Sequence, residues 1–447
     1  MVKRDGGRTV YPPDPASPLG KIIIRNGRVI DPANGIDEQR TVCIDNGRIV
    51  AVDRTAPKGF TADREIDAAG MWITPGLVDM HVHLREPGRE DKETLFTGTC
   101  AAAAGGFTAV ACMPNTTPAL DEESKIRYVK QHGERCPCRI YPIGAITKAL
   151  AGEELAPFGE MVRAGACAMS DDGMSVARSD IMRNALNYSK SFDIPIVCHC
   201  EDSTLTQGGH MNESTVSARL GVYGMPAVAE DIIVARDIML AEYTGARVHI
   251  AHVSTAGSVA LVRQAKQRGA RVTAETCPHY VALTDEALND YDTNKKMNPP
   301  LRTERDRQAV TEALADGTID VLASDHAPHV PEDKDVEFNA AAFGVIGLET
   351  ALGVALTKLV AADILVPSDM VERMSLAPSR ILRLESGTLS VGAAADVTVI
   401  DPRPSWTPSP DTFFSKARNT PFVGVELRGY AQYTILGGRI VYERNEY

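Results

Sequence analysis

The middle of the chain alternates between short apolar runs and longer segments of helix length. Runs of this kind are typical of buried strands, and eight strands that alternate with helices indicate an α/β fold, the (β/α)8 or TIM barrel. The eight runs are VDMHV (78–82), FTAVACM (107–113), IYPIGAI (140–146), ACAMS (166–170), IPIVCHC (194–200), RVHIAHV (247–253), RVTAETC (271–277) and IDVLASD (319–325).

Both ends of the chain carry a different pattern, in which β-branched runs are punctuated by Gly-containing turns. KIIIRNGRVIDPANG and TVCIDNGRIVAVD lie near the start, and ADVTVI and AQYTILGGRIVYE lie near the end. We therefore predict a small β-sandwich domain built from residues 21–73 and 385–447, around a catalytic barrel of residues 74–384. Residues 1–20 are polar and rich in Pro and Gly, so we expect a flexible N-terminal extension.

Composition narrows the class of protein. Of the 447 residues 44% are hydrophobic and 24% are charged, which is ordinary for a soluble globular protein, and no apolar run is long enough to span a bilayer. The net charge of −12 argues against a general nucleic-acid or anionic-membrane binder. The nine cysteines show no disulfide framework, and the N-terminus lacks the apolar segment of a secretory signal. We expect a cytoplasmic protein with reduced thiols that acts on a small molecule.

The first apolar run contains two histidines, His81 and His83, at a spacing of two. Side chains at this spacing point to the same face of a strand, which in a barrel can be the interior. Imidazoles in a core bring polar nitrogens that need partners, and a shared metal ion would supply one. A surface pair of histidines is the alternative that the motif alone leaves open.

Metal-binding side chains recur at the ends of later runs, and this joint pattern favours a metal site. The carboxyl ends of barrel strands carry the chemistry, so we expect these side chains to converge on one mouth. Histidine and carboxylate without thiolate suit zinc, and the set is too large for a single tetrahedral ion, so two zinc ions are predicted. The six predicted ligands are His81, His83, Asp172, His199, His252 and Asp325.

Two aspartates have predicted roles beyond ligation. Asp172 and a hydroxide are expected to bridge the two metals, which makes a nucleophile available near neutral pH. Asp325 is the predicted catalytic residue, since it can take the hydroxide proton as general base and return it to the leaving group as general acid. His249 is expected on the opposite strand face from His252, in a structural role. His279 either lines the mouth or is a hydrogen-bonded loop residue.

Polar residues just after the strands are candidates for binding the substrate: Arg85, Asn115, Asn298 and His329. An arginine beside a metal pair suits a carboxylate substrate, because guanidinium binds carboxylate through two parallel hydrogen bonds. The alternative for Arg85 is an ion pair with the nearby Glu86 or Glu90.

The combination of these motifs resembles the class I dihydroorotases of the amidohydrolase superfamily. The resemblance covers about residues 21 to 440 and rests on PGLVDMHVHLREPGREDKETLFTGTCAAAAGGFTAVACMPNTTPALD, SDDG, AETCPHY, MNPPLR and ASDHAPH. It implies reversible hydrolysis of the cyclic amide of (S)-dihydroorotate to N-carbamoyl-L-aspartate, the third step of pyrimidine biosynthesis.

The resemblance also implies a role for each candidate residue. One zinc would be held by His81, His83 and Asp325, the other by His199 and His252, with Asp172 as the bridge. Arg85, Asn115, Asn298 and His329 would bind the substrate, together with backbone groups of Phe343 and Gly344.

One departure from many relatives concerns the bridging ligand, which in hydantoinases is a carboxylated lysine on the fourth strand. No lysine occurs between Lys148 and Lys190, so Asp172 takes this role, as in the bacterial branch. An aspartate bridge leaves open that one metal binds more weakly.

Two rival functions remain at this point: another cyclic amidohydrolase such as a hydantoinase or allantoinase, and a non-catalytic scaffold homologue. The complete ligand set speaks against the scaffold, since such relatives usually lose metal ligands. We also expect a homodimer, which is the commonest state of soluble enzymes, and an association with aspartate transcarbamoylase is a further hypothesis.

Overall fold

The computed structural model describes residues 1–4, 7–14 and 17–444. The part of the chain before the barrel consists of short antiparallel and parallel strands. Its Asn46-Gly47 turn has positive φ at both residues, 49° and 75°, which is the backbone that a two-residue hairpin requires. The strands are β1 (Val2–Arg4), β2 (Arg8–Val10), β3 (Ile22–Asp31), β4 (Ile36–Asp45), β5 (Arg48–Asp53), β6 (Arg64–Asp67) and β7 (Trp72–Pro75).

The barrel follows, and each predicted apolar run contains a strand of it. The third run forms two short strands separated by Ile143, and the remaining runs form one strand each. The barrel strands are β8 (Leu77–Val82), β9 (Phe107–Cys112), β10 (Arg139–Pro142), β11 (Gly144–Ala145), β12 (Met169–Ser170), β13 (Ile196–Cys198), β16 (Val248–Ile250), β17 (Val272–Thr276) and β18 (Val321–Leu322). The short strands β14 (Met211–Asn212) and β15 (Gly224–Met225) pair with each other in the long connection before β16.

All neighbouring barrel strands are parallel. They pair in the orders β8-β9-β10 and β11-β12-β13-β16-β17-β18, and a parallel bridge between Val82 and His326 closes the circle. The predicted fold class is therefore confirmed. Because parallel strands share one direction, their carboxyl ends form a single rim.

Helices surround the barrel and connect its strands. Their buried faces form the largest apolar cluster of the protein together with the outward-facing strand residues. The helices are α1 (Leu95–Ala104), α2 (Glu123–Gly133), α3 (Phe158–Ala164), α4 (Ser179–Ser189), α5 (Ser203–Thr206), α6 (Thr215–Leu220), α7 (Val228–Thr244), α8 (Ala256–Gln267), α9 (Pro278–Ala282), α10 (Glu304–Asp316), α11 (Pro331–Lys334), α12 (Ala351–Ala355), α13 (Pro367–Val371) and α14 (Ala377–Leu382).

The last strands, β19 (Val397–Trp406), β20 (Leu427–Leu436) and β21 (Arg439–Arg444), return to the strands of the other chain end. Together they form a ten-stranded sheet in the order β1-β2-β21-β20-β19-β7-β3-β4-β5, with β6 beside β3. One apolar cluster contains Ile24 of β3, Ile44 of β4, Val399 of β19 and Ile435 of β20. The two chain ends therefore bury one common core, as the repeated strand pattern predicted.

The predicted flexible extension at residues 1–20 is wrong for two segments, because β1 and β2 belong to this sheet. Strand β2 pairs antiparallel with β21, in a register that places Arg8 opposite Arg444. Arg8 is buried, and its Nη2 lies 2.6 Å from Glu349 Oε2. Local sequence does not reveal this strand, because β21 and Glu349, which join it to the rest of the fold, lie more than 300 residues away along the chain. The rest of the predicted domain boundaries stays a prediction.

Candidate metal centre and substrate pocket

The six predicted ligands lie together at the carboxyl rim of the barrel, and all six are buried. His81 is on β8, and His83 and His199 directly follow β8 and β13. Asp172, His252 and Asp325 lie two or three residues beyond their strands. The geometry brings together all the residues that the sequence predicted to ligate metal; their role as ligands remains a prediction.

Asp172 is at the centre of the cluster. Its Oδ1 lies 3.4 Å from His81 Nε2, 3.5 Å from His252 Nε2 and 3.7 Å from His199 Nδ1. Its other oxygen, Oδ2, lies 3.5 Å from His83 Nε2. The two carboxylate oxygens thus face different histidines, which is the arrangement that a bridging ligand needs.

Asp325 also lies beside His81 and His83. Its Oδ1 lies 3.2 Å from His83 Nε2 and 3.6 Å from His81 Nε2. Two ligands that are each about 2.0 Å from a tetrahedral ion lie about 3.3 Å apart. The spacing of these donor atoms, like that around Asp172, therefore fits zinc.

Two potential ligand atoms of the cluster favour a metal site on grounds other than these distances. His81 Nε2 and Asp172 Oδ1 are buried, and neither has a hydrogen-bond partner among the described residues. A buried polar atom without a partner costs free energy, about 1–3 kcal/mol by mutational comparison. A cation between these two atoms would remove that cost for both.

The carboxylates of the cluster favour protonation of the histidine nitrogens that would otherwise bind a cation. Burial disfavours the charged imidazolium of His81, but Asp172 and Glu275 outweigh burial and raise its pKa well above the ordinary value. For His199, Asp172 and Glu201 outweigh burial and raise the pKa to about 10, and His81 lowers the pKa of Asp172 against the effect of burial. Metal ligation would therefore have to displace protons at neutral pH, and metal affinity would rise with pH.

Glu275 on β17 is a functional residue that the sequence reasoning missed. Its Oε1 accepts a hydrogen bond from His81 Nδ1 at 2.5 Å, and its Oε2 lies 3.2 Å from His249 Nε2. Burial opposes ionisation, but the two histidines lower the pKa of Glu275 below its ordinary value. A carboxylate that binds the second nitrogen of a ligating histidine fixes the orientation of the ring. A charged residue in an otherwise apolar strand was the available signal.

The expectation that His249 and His252 occupy opposite strand faces is wrong. His249 contacts Glu275 inside the barrel, and His252 also reaches the cluster. Strand β16 ends at Ile250, and His252 has a φ of 33°, so the alternation of a regular strand no longer applies there. Asp325, with a φ of 46°, leaves its strand in the same way.

His279, for which two readings were open, is buried at the mouth. Its ring nitrogen, Cys277 Sγ and Asp325 form a group of potential ligand atoms within 4.8 Å of one another. Burial lowers the pKa of His279 to about 4, so the ring is neutral near pH 7. Its Nε2 has no hydrogen-bond partner among the described residues, which favours the mouth-lining alternative.

Arg85 lies at the rim with its guanidinium close to the cluster. Burial lowers its pKa to about 10, and the carboxylates of Asp325 and Asp172 act in the opposite direction. Its Nε donates a hydrogen bond to the Pro328 carbonyl at 3.2 Å. No ion pair joins Arg85 to Glu86 or Glu90 within the described ranges, so the surface ion-pair alternative is wrong.

Asn115 contacts the cluster of predicted ligands directly, and Asn298 is joined to it through Glu201. Asn115 Oδ1 accepts a hydrogen bond from His83 Nδ1 at 2.8 Å. Asn298 Nδ2 donates to Glu201 Oε2 at 2.7 Å, and the same oxygen lies 3.0 Å from His199 Nε2. Both amides therefore orient histidines, and their contact with substrate stays a prediction.

His329 lies between Arg85 and the segment that contains Phe343. Burial and the neighbouring Arg85 lower its pKa to about 3, so the ring is neutral. Its Nε2 donates a hydrogen bond to the Phe343 carbonyl at 2.8 Å, which leaves Nδ1 to accept one from Lys92 at 3.1 Å.

Of the backbone groups of Phe343 and Gly344 that were predicted to contact the substrate ring, the Phe343 carbonyl and both groups of Gly344 already have partners within the protein. Gly344 N donates to the Lys296 carbonyl at 3.0 Å, and its carbonyl accepts from Lys334 Nζ at 3.0 Å. A contact between these groups and substrate requires shared or exchanged hydrogen bonds. It stays a prediction.

Asn419 is a second residue that the sequence analysis missed, and no local pattern marks it. It comes from the segment between β19 and β20, and its side chain is buried between two rim loops. Its Oδ1 accepts a hydrogen bond from His329 N at 3.2 Å, and its Nδ2 donates to the carbonyls of Ala327 and Gly344, both at 3.0 Å. The small domain thus holds the two loops that were expected to bind substrate.

A cavity of about 490 Å³ lies beside the cluster, large enough for a small cyclic ligand. It is lined by Glu201, Thr206, Met225, Asn298 and Phe343, among others. The cavity therefore contains two of the residues that were predicted to bind substrate.

Comparison with known proteins shows the family. A family profile described as "Dihydro-orotase-like" matches residues 70–258. The dihydroorotase of Pelotomaculum thermopropionicum is 54% identical over 422 residues, 94% of this chain and 98% of that protein. The chain belongs to the dihydroorotase family. The dihydroorotase of Pelobacter propionicus is 52% identical over 95% of this chain and 100% of that protein.

Solved structures of cyclic amidohydrolases share the fold with this member of the dihydroorotase family. The L-hydantoinase of Arthrobacter aurescens has a TM-score of 0.87 and 25% identity, over 96% of this chain and 97% of that one. The dihydropyrimidinase of Brevibacillus agri has a TM-score of 0.82 and 23% identity, over 96% of each chain. Among the described residues, no helix has both the length and the apolar character needed to cross a membrane.

Proposed function

We propose that this protein is a class I dihydroorotase of the bacterial type, which interconverts (S)-dihydroorotate and N-carbamoyl-L-aspartate. The observation that carries the proposal is the identity of about half of all residues with dihydroorotases over nearly the full chain. The hydantoinase-like structures are only 25% identical or less, so they favour a common fold over a common substrate.

The proposed cofactor is a pair of zinc ions. One would be held by His81, His83 and Asp325, and the other by His199 and His252. Asp172 would bridge them, which is supported by the separate histidines that face its two oxygens. Bound zinc supplies Lewis acidity, which polarises a carbonyl group and lowers the pKa of water. An aspartate bridge leaves open that the second ion binds more weakly.

Asp325 performs the proton transfers of the proposed reaction. In the hydrolytic direction its carboxylate accepts the proton that water loses on attacking the ring carbonyl carbon. It then delivers this proton to the ring nitrogen as the carbon–nitrogen bond breaks, and ring closure follows the reverse course. His81 and His83 lower the pKa of Asp325 against the effect of burial, so its carboxylate is ionised and ready to accept the proton.

Arg85 and Asn115 are proposed to bind the carboxylate of the substrate. With a pKa of about 10, the Arg85 guanidinium stays charged at neutral pH despite its burial. It therefore pairs with an anion even though the whole chain carries a net charge of −12. Asn298, His329 and the backbone of Phe343 and Gly344 complete the proposed pocket around the ring.

The test combines a zinc count per chain with an assay for cyclisation of carbamoyl aspartate. We expect Asp325→Asn to lower kcat by about 10²- to 10⁴-fold. The matched control Asp180→Asn removes a surface carboxylate that is paired with Arg178, and it should leave kcat unchanged.

Two results would contradict the proposal. A zinc-loaded enzyme that opens hydantoin or allantoin but not dihydroorotate would be another cyclic amidohydrolase. A folded protein that neither binds zinc nor turns over would be a scaffold homologue. A cytoplasmic location, a homodimer and an association with aspartate transcarbamoylase remain predictions of the sequence.

A further inference from the structure

The stretch of chain after α11, residues 335–344, forms neither a helix nor a strand. We call residues 338–344 the ring segment, because they include Phe343 and Gly344, whose backbone is proposed to bind the substrate ring. Buried carbonyl groups outside regular secondary structure still need hydrogen-bond donors. In the ring segment, two lysine side chains supply these donors, those of Lys296 and Lys334.

Lys334, the last residue of α11, is buried, and its ammonium group has three N–H donors with a partner for each. Its Nζ donates hydrogen bonds to the carbonyls of Ala342 at 2.7 Å, Gly344 at 3.0 Å and Lys296 at 3.2 Å. This one group therefore joins the end of the ring segment to the stretch of chain that carries Asn298, another residue proposed to bind the ring.

Lys296 contacts the ring segment at both of its ends. Its Nζ donates to the carbonyls of Phe338 at 2.7 Å and Asn339 at 3.1 Å, and its own carbonyl accepts a hydrogen bond from Gly344 N at 3.0 Å. The same Nζ lies 4.5 Å from the centroid of the Phe343 ring, which lines the cavity beside the predicted ligands. The positions of both Phe343 and Gly344 thus depend on this lysine.

Neither ammonium group has an ion-pair partner, since no carboxylate of the described residues lies within 4.0 Å of either Nζ. Asp292 and Asp333 act on Lys334 only at longer range. A buried cation costs more free energy than a neutral donor, and Asn419 shows that a neutral amide can bind the same Gly344 carbonyl, at 3.0 Å. Positive charge is therefore the property that distinguishes the two lysines, and it suits a substrate with carboxylate groups.

We propose that Lys334 and Lys296 are positioning residues, which hold the ring segment in its binding conformation before the substrate arrives. This inference rests on the proposed function and names the groups that preorganise its pocket. Without them the substrate would itself have to order residues 338–344, and this cost weakens binding. In the bound state the contacts of the substrate hold the segment, so the chemical step changes little. The effect is therefore expected on KM rather than on kcat.

The first experiment measures kcat and KM for cyclisation of carbamoyl aspartate by the zinc-loaded, full-length protein. Lys334→Met keeps a long unbranched side chain and removes its charge and its three hydrogen bonds. We expect KM to rise roughly 10- to 100-fold, while kcat stays within about threefold and zinc content does not change. The matched control is Lys266→Met on α8, because Lys266 Nζ also donates to a backbone carbonyl, that of Gly317 at 3.1 Å; it should leave KM unchanged.

The second experiment measures amide hydrogen exchange of the substrate-free protein by mass spectrometry, which requires no turnover. Peptides that cover residues 336–346 should exchange at least about tenfold faster in Lys334→Met than in wild type, because the segment has lost fixed partners. In Lys266→Met this segment should exchange at the wild-type rate. If Lys334→Met fails to fold, Lys296→Met takes its place with the same expected results.

A folded Lys334→Met in which residues 336–346 exchange at the wild-type rate would overturn the positioning role. Faster exchange with an unchanged KM would also overturn it, and so would a loss confined to kcat, in a protein whose wild type cyclises carbamoyl aspartate. A wild type without this activity would contradict the proposed function alone, and the exchange comparison would still decide whether the lysines hold the ring segment.

Discussion

Replacement of Glu275 by glutamine should weaken zinc binding while leaving the fold intact. Glu275 and His81 are both fully buried and share a hydrogen bond of 2.5 Å between Oε1 and Nδ1. Glutamine keeps the shape of the side chain but removes the negative charge that favours a metal-bound His81. The glutamine amide also has an N–H donor, which would face either His81 Nδ1 or His249 Nε2, where the carboxylate of Glu275 offers each an acceptor.

The magnitude follows from the change in hydrogen-bond type. A hydrogen bond to a charged group contributes about 1.5–3 kcal/mol and one between neutral groups about 0.5–1.5 kcal/mol. The loss of about 1–2 kcal/mol corresponds to a roughly 5- to 30-fold weaker zinc affinity at about 1.4 kcal/mol per factor of ten. Changes to groups that orient metal ligands elsewhere cost about 10- to 100-fold, which overlaps this range.

Zinc affinity is measured by competition with a fluorescent chelator at fixed pH. The matched control is Glu349→Gln, since Glu349 is also a buried carboxylate but pairs with Arg8 away from the metal cluster. We expect Glu349→Gln to lower the free energy of unfolding and leave zinc affinity unchanged. If Glu275→Gln binds zinc within twofold of wild type, the assigned role of Glu275 is refuted.

Three further predictions concern the rim. Asn419→Ala removes a hydrogen bond from each of three backbone groups, of which the Gly344 carbonyl keeps its bond to Lys334, and it should lower the free energy of unfolding by about 2–5 kcal/mol in urea titrations, with a raised KM; an unchanged urea midpoint would contradict this. Arg85→Gln should raise the KM for carbamoyl aspartate by about 10- to 100-fold with zinc content unchanged; an equal KM would argue against carboxylate binding. The folded-state pKa of His329, about 3 instead of the ordinary 6.5, means that the unfolded chain binds more protons between these pH values. Stability should therefore fall as pH drops below 6.5, by up to about 1.4 kcal/mol per pH unit, and His329→Asn should remove this part of the slope.

The local pattern of the chain was enough to predict the barrel and the chemistry at its rim. Apolar runs of strand length specify buried parallel strands, and the carboxyl ends of such strands meet at one rim whatever the details of packing. Residues at strand ends, such as His81 and Asp172, could therefore be assigned to a common site. The resemblance to the family adds that a bridging lysine is absent between Lys148 and Lys190, which likewise singled out Asp172.

Contacts between distant segments had to be seen in the folded protein. Glu275 meets His81 across 194 residues, and Asn419 reaches His329 across 90 residues. Arg8 of strand β2 donates a hydrogen bond to Glu349, which is 341 residues away along the chain. Hydrogen bonds of this kind have no periodicity along the chain, because the partner is chosen by packing. For the same reason the backbone turn at His252, which places its ring in the cluster, could not be inferred from the alternation of a strand.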